Sequence, residues 1–358
     1  MKNIEICSLG TLSDGREVTG YTLYNAAGMR VLISDFGGTI WQLHVPDRNG
    51  VFADVVCGYD HPRTLEASEG YVGALIGRFG NRIAGAAFDI DGIRYNLNAN
   101  DHNNHLHGGA IGFDRRFWTV TLIEGEEPQL HLSLISPDGE EGYPGKLTVN
   151  VTYTLRHDNA LVLHYHATTD KTTPINLTNH AYFNLAGYDA GEIFDHVLWL
   201  DAADYLQTDE QLIPTGIRMP VEGTPFDFRA PKLIGRDFTP DERCCDMQLA
   251  GGYDHCFNFT QSAITNDSLP LRGYLEHPAS GRRMELYTDQ PCVQFYSGNF
   301  LTDDGNALKG GVVKHKHMAL CLETQKMPDS MHHEGFTNVL LKPNEIYDTT
   351  TIYRFTTV

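Results

Sequence analysis

"KLTVNVTYTL", residues 146–155, decides the fold. Leu147, Val149, Val151, Tyr153 and Leu155 alternate with Thr148, Asn150, Thr152 and Thr154. This period of two belongs to a half-buried strand, with β-branched threonines suited to its wet face. Just upstream, "LHLSLIS" (130–136) alternates in the same way. Between them lies "PDGEEGYPG" (137–145), dense in turn formers, so the two runs are expected to pair as a hairpin with a longer loop. "ALVLHYHATT" (160–169), "RRMELYTD" (282–289), "CVQFYSG" (292–298) and "TIYRFTTV" (351–358) carry the same alternation onward.

Helical signals are short. The best is "TPDERCCDMQLA" (239–250), with Thr239 as the expected cap and Pro240 in the first turn. The 35 glycines and 16 prolines are spread along the chain instead of gathering into a linker. Length alone would suggest two or three domains, but large all-β units often run this long. Strands without strand–helix alternation predict an all-β protein, a large antiparallel β-sandwich with few short helices, as one domain over residues 1–358.

The balance of 27 Lys and Arg against 46 Asp and Glu gives a formal charge of −19. Such a surface repels phosphate backbones and anionic lipid, which argues against nucleic-acid and membrane partners and favours a neutral small molecule. Seven scattered cysteines without a CxxC pair fit free thiols in a reducing compartment. The N-terminal stretch has no apolar signal core, and no run approaches the ~20 apolar residues of a membrane span. The expectation is a soluble, cytoplasmic protein, its oligomeric state unreadable.

Five islands hold residues of catalytic type: "IGRFGNRIAG" (76–85), "NANDHNNHLHGGAIGFDRRFW" (98–118), "PINLTNHAYFNLAG" (174–187), "GGYDHCFNF" (251–259) and "MALCLETQKMPDS" (318–330). A metal site is the first reading to weigh. His102, His105 and His107 form an H-x-x-H-x-H string, and His105 and His107 share a face if the segment is a strand. Yet Gly108, Gly109, Ala110, Ile111 and Gly112 follow, with no carboxylate in reach, while "HKH" (315–317) and "HH" (332–333) look like solvated surface. No metal is therefore expected. A hydrolase lacks its G-x-S-x-G elbow, and "GRFGNR" lacks the strand–helix unit of a phosphate loop.

A metal-free acid and base remain. Glu323 ends the apolar run Met318–Leu322, where desolvation would raise its proton affinity. His180, among asparagines and aromatics, titrates near neutrality by nature. Residue types alone leave the alternatives open: a strand-end glutamate facing water, and a histidine that only braces a loop.

In their order along the chain, these islands resemble the aldose 1-epimerase family, the galactose mutarotases. The phrases are "GRFGNRIA", "LHGG" with "GFDRRFW", "SPDGEEGYPG", "INLTNHAYFNLAG", "YDHCF", "VQFYSGNF" and "CLETQKMPDS". The resemblance implies a galactose-mutarotase-type sandwich that interconverts the α and β anomers of a free aldohexose, galactose or glucose, without cofactor. It implies Glu323 as the base that takes the anomeric hydroxyl proton and His180 as the acid that protonates the ring oxygen. It assigns Asn81, Arg82, His107, Tyr182, Asp254 and Gln294 to sugar binding, with the neighbouring asparagines orienting sugar and imidazole. Strict alternation points Gln294 and Tyr296 the same way, so one of the two is expected to face the core. Phe79, His105 and Cys256 depart from the pattern at the pocket rim at most. The rival readings are an epimerase of a hexose 6-phosphate, which needs a cationic pocket, and a sugar-binding protein without turnover.

Overall fold

A computed structural model describes residues 3–242, 244–260 and 269–358. The hairpin read from the alternation is present: Gln129–Ser136 and Leu147–Leu155 pair antiparallel, with Leu130 opposite Tyr153 and Ser136 opposite Leu147. Along Leu147–Leu155 every second side chain is buried, as a strand with one face on a core requires. This hairpin continues through Ala160–Thr169, Tyr347–Thr357, Arg282–Thr288, Leu271–His277, Val197–Leu200 and Lys232–Leu233. With Thr119–Ile123 at the far edge they form one antiparallel sheet of nine strands.

Two five-stranded antiparallel sheets complete the sandwich. One runs in chain order from Ile4–Thr11 to Phe52–Asp54. The other has the order Pro214–Pro220, Ala202–Thr208, Asp254–Phe259, Cys292–Tyr296, Cys321–Gln325. All three sheets feed one apolar core, exemplified by Ile33 and Leu43, Val149 and Tyr353, and Phe257 and Phe295. Burying this much apolar surface is the main stabilising term for the fold.

The strand Cys321–Gln325 divides its side chains between core and site. Leu322 lies in the core, and the Leu322 carbonyl accepts a hydrogen bond from Tyr353 Oη of the large sheet at 3.0 Å. Thr324 meets Thr351 of that same sheet. Period-two geometry then turns Cys321, Glu323 and Gln325 to the opposite face.

The predicted helix over 239–250 is shorter than expected, spanning only Cys245–Ala250. Thr239 is not its cap: Cys244 takes that place, and the Thr239 backbone N–H points instead at Met247 Sδ, 3.1 Å away. A second short helix, Pro62–Ala67, begins on a proline whose fixed φ suits a first turn.

Candidate active site

Three neighbouring strands build the floor. The register sets Gln294 opposite both Glu323 and Cys256, and Asp254 opposite Tyr296. Opposed residues share a face, so Asp254, Gln294, Tyr296 and Glu323 lie together while Val293 and Phe295 enter the core. Gln294 and Tyr296 therefore share a face of the sheet. On it Gln294 joins Glu323 and Asp254, while Tyr296 is buried in a second apolar cluster with Tyr182 and Cys321, so the expectation that one of the two faces a core is met by Tyr296.

A hydrogen-bond chain orders this floor. Gln325 Nε2 donates to Gln294 Oε1 at 3.3 Å, and Gln294 Nε2 donates to Asp254 Oδ1 at 2.7 Å. Glu323 is only 2% exposed, and its Oε2 is buried without a hydrogen-bond partner. Such an orphan is costly unless a ligand fills the place. Burial, reinforced by the Asp254 charge and opposed by Arg82, holds the Glu323 carboxyl well above its ordinary range. Burial likewise raises Asp254, against the pull of Arg82 and the Gln294 amide.

His180 reaches this floor from a separate segment. Thr178–Asn179 pairs with Leu75–Ile76, and the His180 N–H donates to Ala74 O at 2.9 Å. The asparagines around it brace backbone; none is placed to orient the imidazole directly. Asn176 Nδ2 donates to Gly80 O and Lys326 O, Asn179 Nδ2 to Gly73 O and Ala74 O, and Asn184 Nδ2 to Gly191 O and Met318 O. Each satisfies carbonyls that would otherwise be buried unpaired, so the expectation that they orient sugar is not met.

His180 Nε2 lies 3.7 Å from Glu323 Oε1, with 6% and 3% of the two side chains exposed. The gap is too long for a hydrogen bond. Burial pushes His180 down to about 4, so the sequence-based expectation of titration near neutrality is corrected. Its Nδ1 stands 3.4 Å from Cys321 Sγ, a thiol that burial keeps protonated.

His107 comes from the loop beyond His105–Leu106, a two-residue strand paired with Arg82–Ile83. His107 takes φ 51°, which ends the strand and separates it from His105. Gly108 must follow, because a Cβ there would meet Gly77 O at 1.9 Å. The Asn81 N–H donates to His107 Nδ1 at 3.1 Å, and the His107 N–H returns a bond to Asn81 O at 3.1 Å. A ring that accepts at Nδ1 carries its proton on Nε2, which makes that nitrogen a donor. Burial, with His180 and Arg82 nearby, keeps the ring neutral.

His107, His180 and Glu323 present ligand-type atoms within 4.8 Å of one another. Distance alone would suit a cation. The Asn81 bond argues against one, because it leaves His107 no lone pair to give. The other histidines of the string do not arrive. His102 is surface-exposed beside Asp101, and His105 is fully buried with Nδ1 on Asn98 O at 2.7 Å and Nε2 on Tyr143 Oη at 2.6 Å. "HKH" and "HH" are also less solvated than expected: His317 Nδ1 bonds Ser297 O at 2.9 Å, and His332 and His333 both pair with the buried Asp329.

Arg82 is partly neutralised by Asp101, its Nε donating to Oδ2 at 2.7 Å, while its N–H is fixed by Asn81 Oδ1 at 2.8 Å. Tyr182 is placed behind the site. Its hydroxyl is committed to Gly70 O at 2.9 Å and its ring lies 4.9 Å from that of His180, so it backs the imidazole. Tyr71 was not foreseen, although it contacts both site imidazoles.

With this geometry in view, the family follows. A family profile described as Aldose 1-epimerase matches residues 20–354. The galactose mutarotase of Homo sapiens is 46% identical over 329 residues, covering 91% of each chain. The aldose 1-epimerase of Escherichia coli (strain K12) is 35% identical over 344 residues, covering 96% of each. Among solved structures, the aldose epimerase homologue from C. elegans aligns with a TM-score of 0.85 at 28% identity, over 94% of this chain and 98% of that one. The galactose 1-epimerase from Lactobacillus acidophilus NCFM aligns with the same TM-score at 26% identity, over 100% and 99%. The chain belongs to the aldose 1-epimerase family.

Proposed function

We propose that the chain, working as one domain, interconverts the α and β anomers of a free aldohexose such as galactose or glucose. The observation that carries this reading is the buried, unbonded approach of His180 to Glu323, with a partnerless carboxylate oxygen between binding groups. The reacting state needs one proton on this pair, carried as a Glu323 carboxylate and a His180 imidazolium. Glu323 removes the proton from the anomeric hydroxyl as His180 delivers its proton to the ring oxygen. The C1–O5 bond breaks to give the open aldehyde, and rotation about C1–C2 exposes its other face. Closure reverses both transfers, so the pair ends with the one proton it began with.

The remaining groups bind and orient the sugar. His107 Nε2–H is a donor for the ring-oxygen side, Asn81 and Arg82 supply hydroxyl contacts, and Asp254 accepts with Gln294 at its side. Arg82 also favours the Glu323 carboxylate the reaction needs. Nothing in this scheme calls for a metal or cofactor.

Arg115 and Arg116 are the arginines that a phosphate reading would use. Both are occupied, Arg115 by Asp114 and the carbonyls of Glu66 and Ser68, Arg116 by Glu140. A non-catalytic binder would gain nothing from a buried glutamate that does not bond the imidazole and whose Oε2 has no hydrogen-bond partner. No helix among the described residues is long and apolar enough to cross a membrane. The seven cysteines are free, which supports a cytoplasmic setting.

Polarimetry on freshly dissolved α-galactose, α-glucose and glucose 6-phosphate tests the reading. Faster relaxation of a free hexose is expected; acceleration of the phosphate alone, or of none, overturns it.

A further inference from the structure

The mechanism leaves the Tyr71 side chain at the site without a task. Tyr71 is partly exposed, and its ring stands edge-on to His107 at 4.6 Å between centroids and 60° between planes. The same ring stacks on His180 at 6.0 Å and 28°. One side chain thus touches both imidazoles from the solvent side while Tyr182 backs His180 from within.

The backbone of Tyr71 sits at φ 57°, in the left-handed region that a bulky residue occupies only when its surroundings impose it. The constraints are visible on both sides. Arg115 holds the Glu66 and Ser68 carbonyls, and Tyr182 Oη holds Gly70 O at 2.9 Å. On the far side the Gly73 N–H donates to His180 O at 2.9 Å, while Gly73 O accepts from the Ile40 N–H at 2.9 Å. The strain therefore serves to present this ring beside the imidazoles.

The hydroxyl is also directed. Asn100 Nδ2 donates to Tyr71 Oη at 3.4 Å, and the same amide is anchored on Leu106 O at 2.9 Å and Gly109 O at 3.1 Å. Because the amide is the donor there, the phenol proton is left for another acceptor. Burial first, then the Asp114 charge, raises the phenol, so it remains a donor throughout the neutral range.

We propose that Tyr71 is a further substrate-contacting residue, its ring forming the outer wall beside His107 and His180 and its hydroxyl donating to an aldose hydroxyl. This rests on the aldose 1-epimerase reading above. It deepens that reading by adding an aromatic wall and a further donor to a pocket built from imidazoles, amides, carboxylates and the Arg82 guanidinium.

Tyr71→Phe, Tyr71→Ala and Tyr71→Gly, measured by polarimetry over a range of sugar concentrations and by thermal melting, test it. Tyr71→Phe removes one hydrogen bond and is expected to raise KM about five-fold with kcat little changed. Tyr71→Ala removes the wall as well and is expected to lower kcat/KM by more than about ten-fold, mostly through KM. Tyr71→Gly relieves the left-handed strain, so it is expected to melt no lower than Tyr71→Ala while sharing its kinetic loss. Wild-type KM in both Tyr71→Phe and Tyr71→Ala overturns the proposal, as does a loss confined to kcat, which would make the ring only a support for the imidazoles. A wild-type protein that accelerates no aldose overturns the functional reading instead, which keeps the two failures apart.

Discussion

His180 Nε2 stops 3.7 Å short of Glu323 Oε1, close enough for the two to share one proton through a substrate and too far to bond each other directly. The opposed strands of Gln294 and Glu323 fix one side of this gap, and the backbone bonds of His180 to Ala74 and Gly73 fix the other. Neither residue is held by its partner, so each can be exchanged without collapsing the other.

Glu323→Gln follows from that independence. It should lower kcat by about 10²–10⁴-fold, the usual scale for losing a general base. It should also raise the melting temperature at pH 8. The buried carboxyl has a folded-state value above its unfolded one, so its contribution to stability is lost as pH rises between the two. The neutral amide escapes that loss. Activity and thermal melting on the same preparation check both halves.

The pH dependence has a worked sign. The pair is competent while it carries one proton. Below about 4 His180 takes a second proton and no base remains, so kcat/KM falls as pH drops through that value. Above the raised Glu323 value the single proton is lost, so kcat/KM falls again. Ordinary values of 6.5 and 4.5 would confine the one-proton state between them. The expected profile instead has its acid limb near 4 and its basic limb well above the ordinary carboxylate range, read from kcat/KM after subtracting the spontaneous reaction.

Asn179→Ala tests whether the asparagines are braces. It deletes the bonds to Gly73 O, Ala74 O and Tyr153 Oη and the acceptor for the Ala181 N–H. A loss of about 2 kcal/mol in chemical denaturation is expected, with reduced kcat and nearly unchanged KM. A raised KM with full stability would place Asn179 against the sugar instead.

Gly108→Ala should fail as a fold. The added methyl would meet the Gly77 carbonyl oxygen at 1.9 Å on a backbone at φ 91°. Backbone cannot retreat as a flexible side chain can, so a loss of about 3 kcal/mol or more is expected. Gly92→Ala, where nothing lies within 4 Å but φ is 77°, separates conformational strain from clash and should cost less.

Alternation made most of the large sheet and the shared face of Gln294 and Tyr296 legible in the sequence, because period two directly encodes which side of a sheet a residue meets. What it could not show was set by contacts distant in the chain. His105 and His107 look equivalent two residues apart, but the left-handed turn at His107 sends one to the site and leaves the other bonded to Tyr143. The depressed titration of His180 depends on burial that only the assembled sheets create. Tyr71 gave no local signal, since its conformation is imposed by Arg115, Tyr182, His180 and Ile40 from outside its own segment. Cys245–Ala250 began late because Thr239 looks like a cap in sequence while the fold turns its N–H to Met247.

The most direct test of the central claim is polarimetry of fresh α-galactose with wild type, His180→Asn and Glu323→Gln, alongside sugar binding by calorimetry. The account predicts rapid relaxation with wild type, loss of nearly all acceleration in both variants, and sugar binding retained in both. Full acceleration by either variant would contradict it, because the proton that opens the ring would then come from elsewhere.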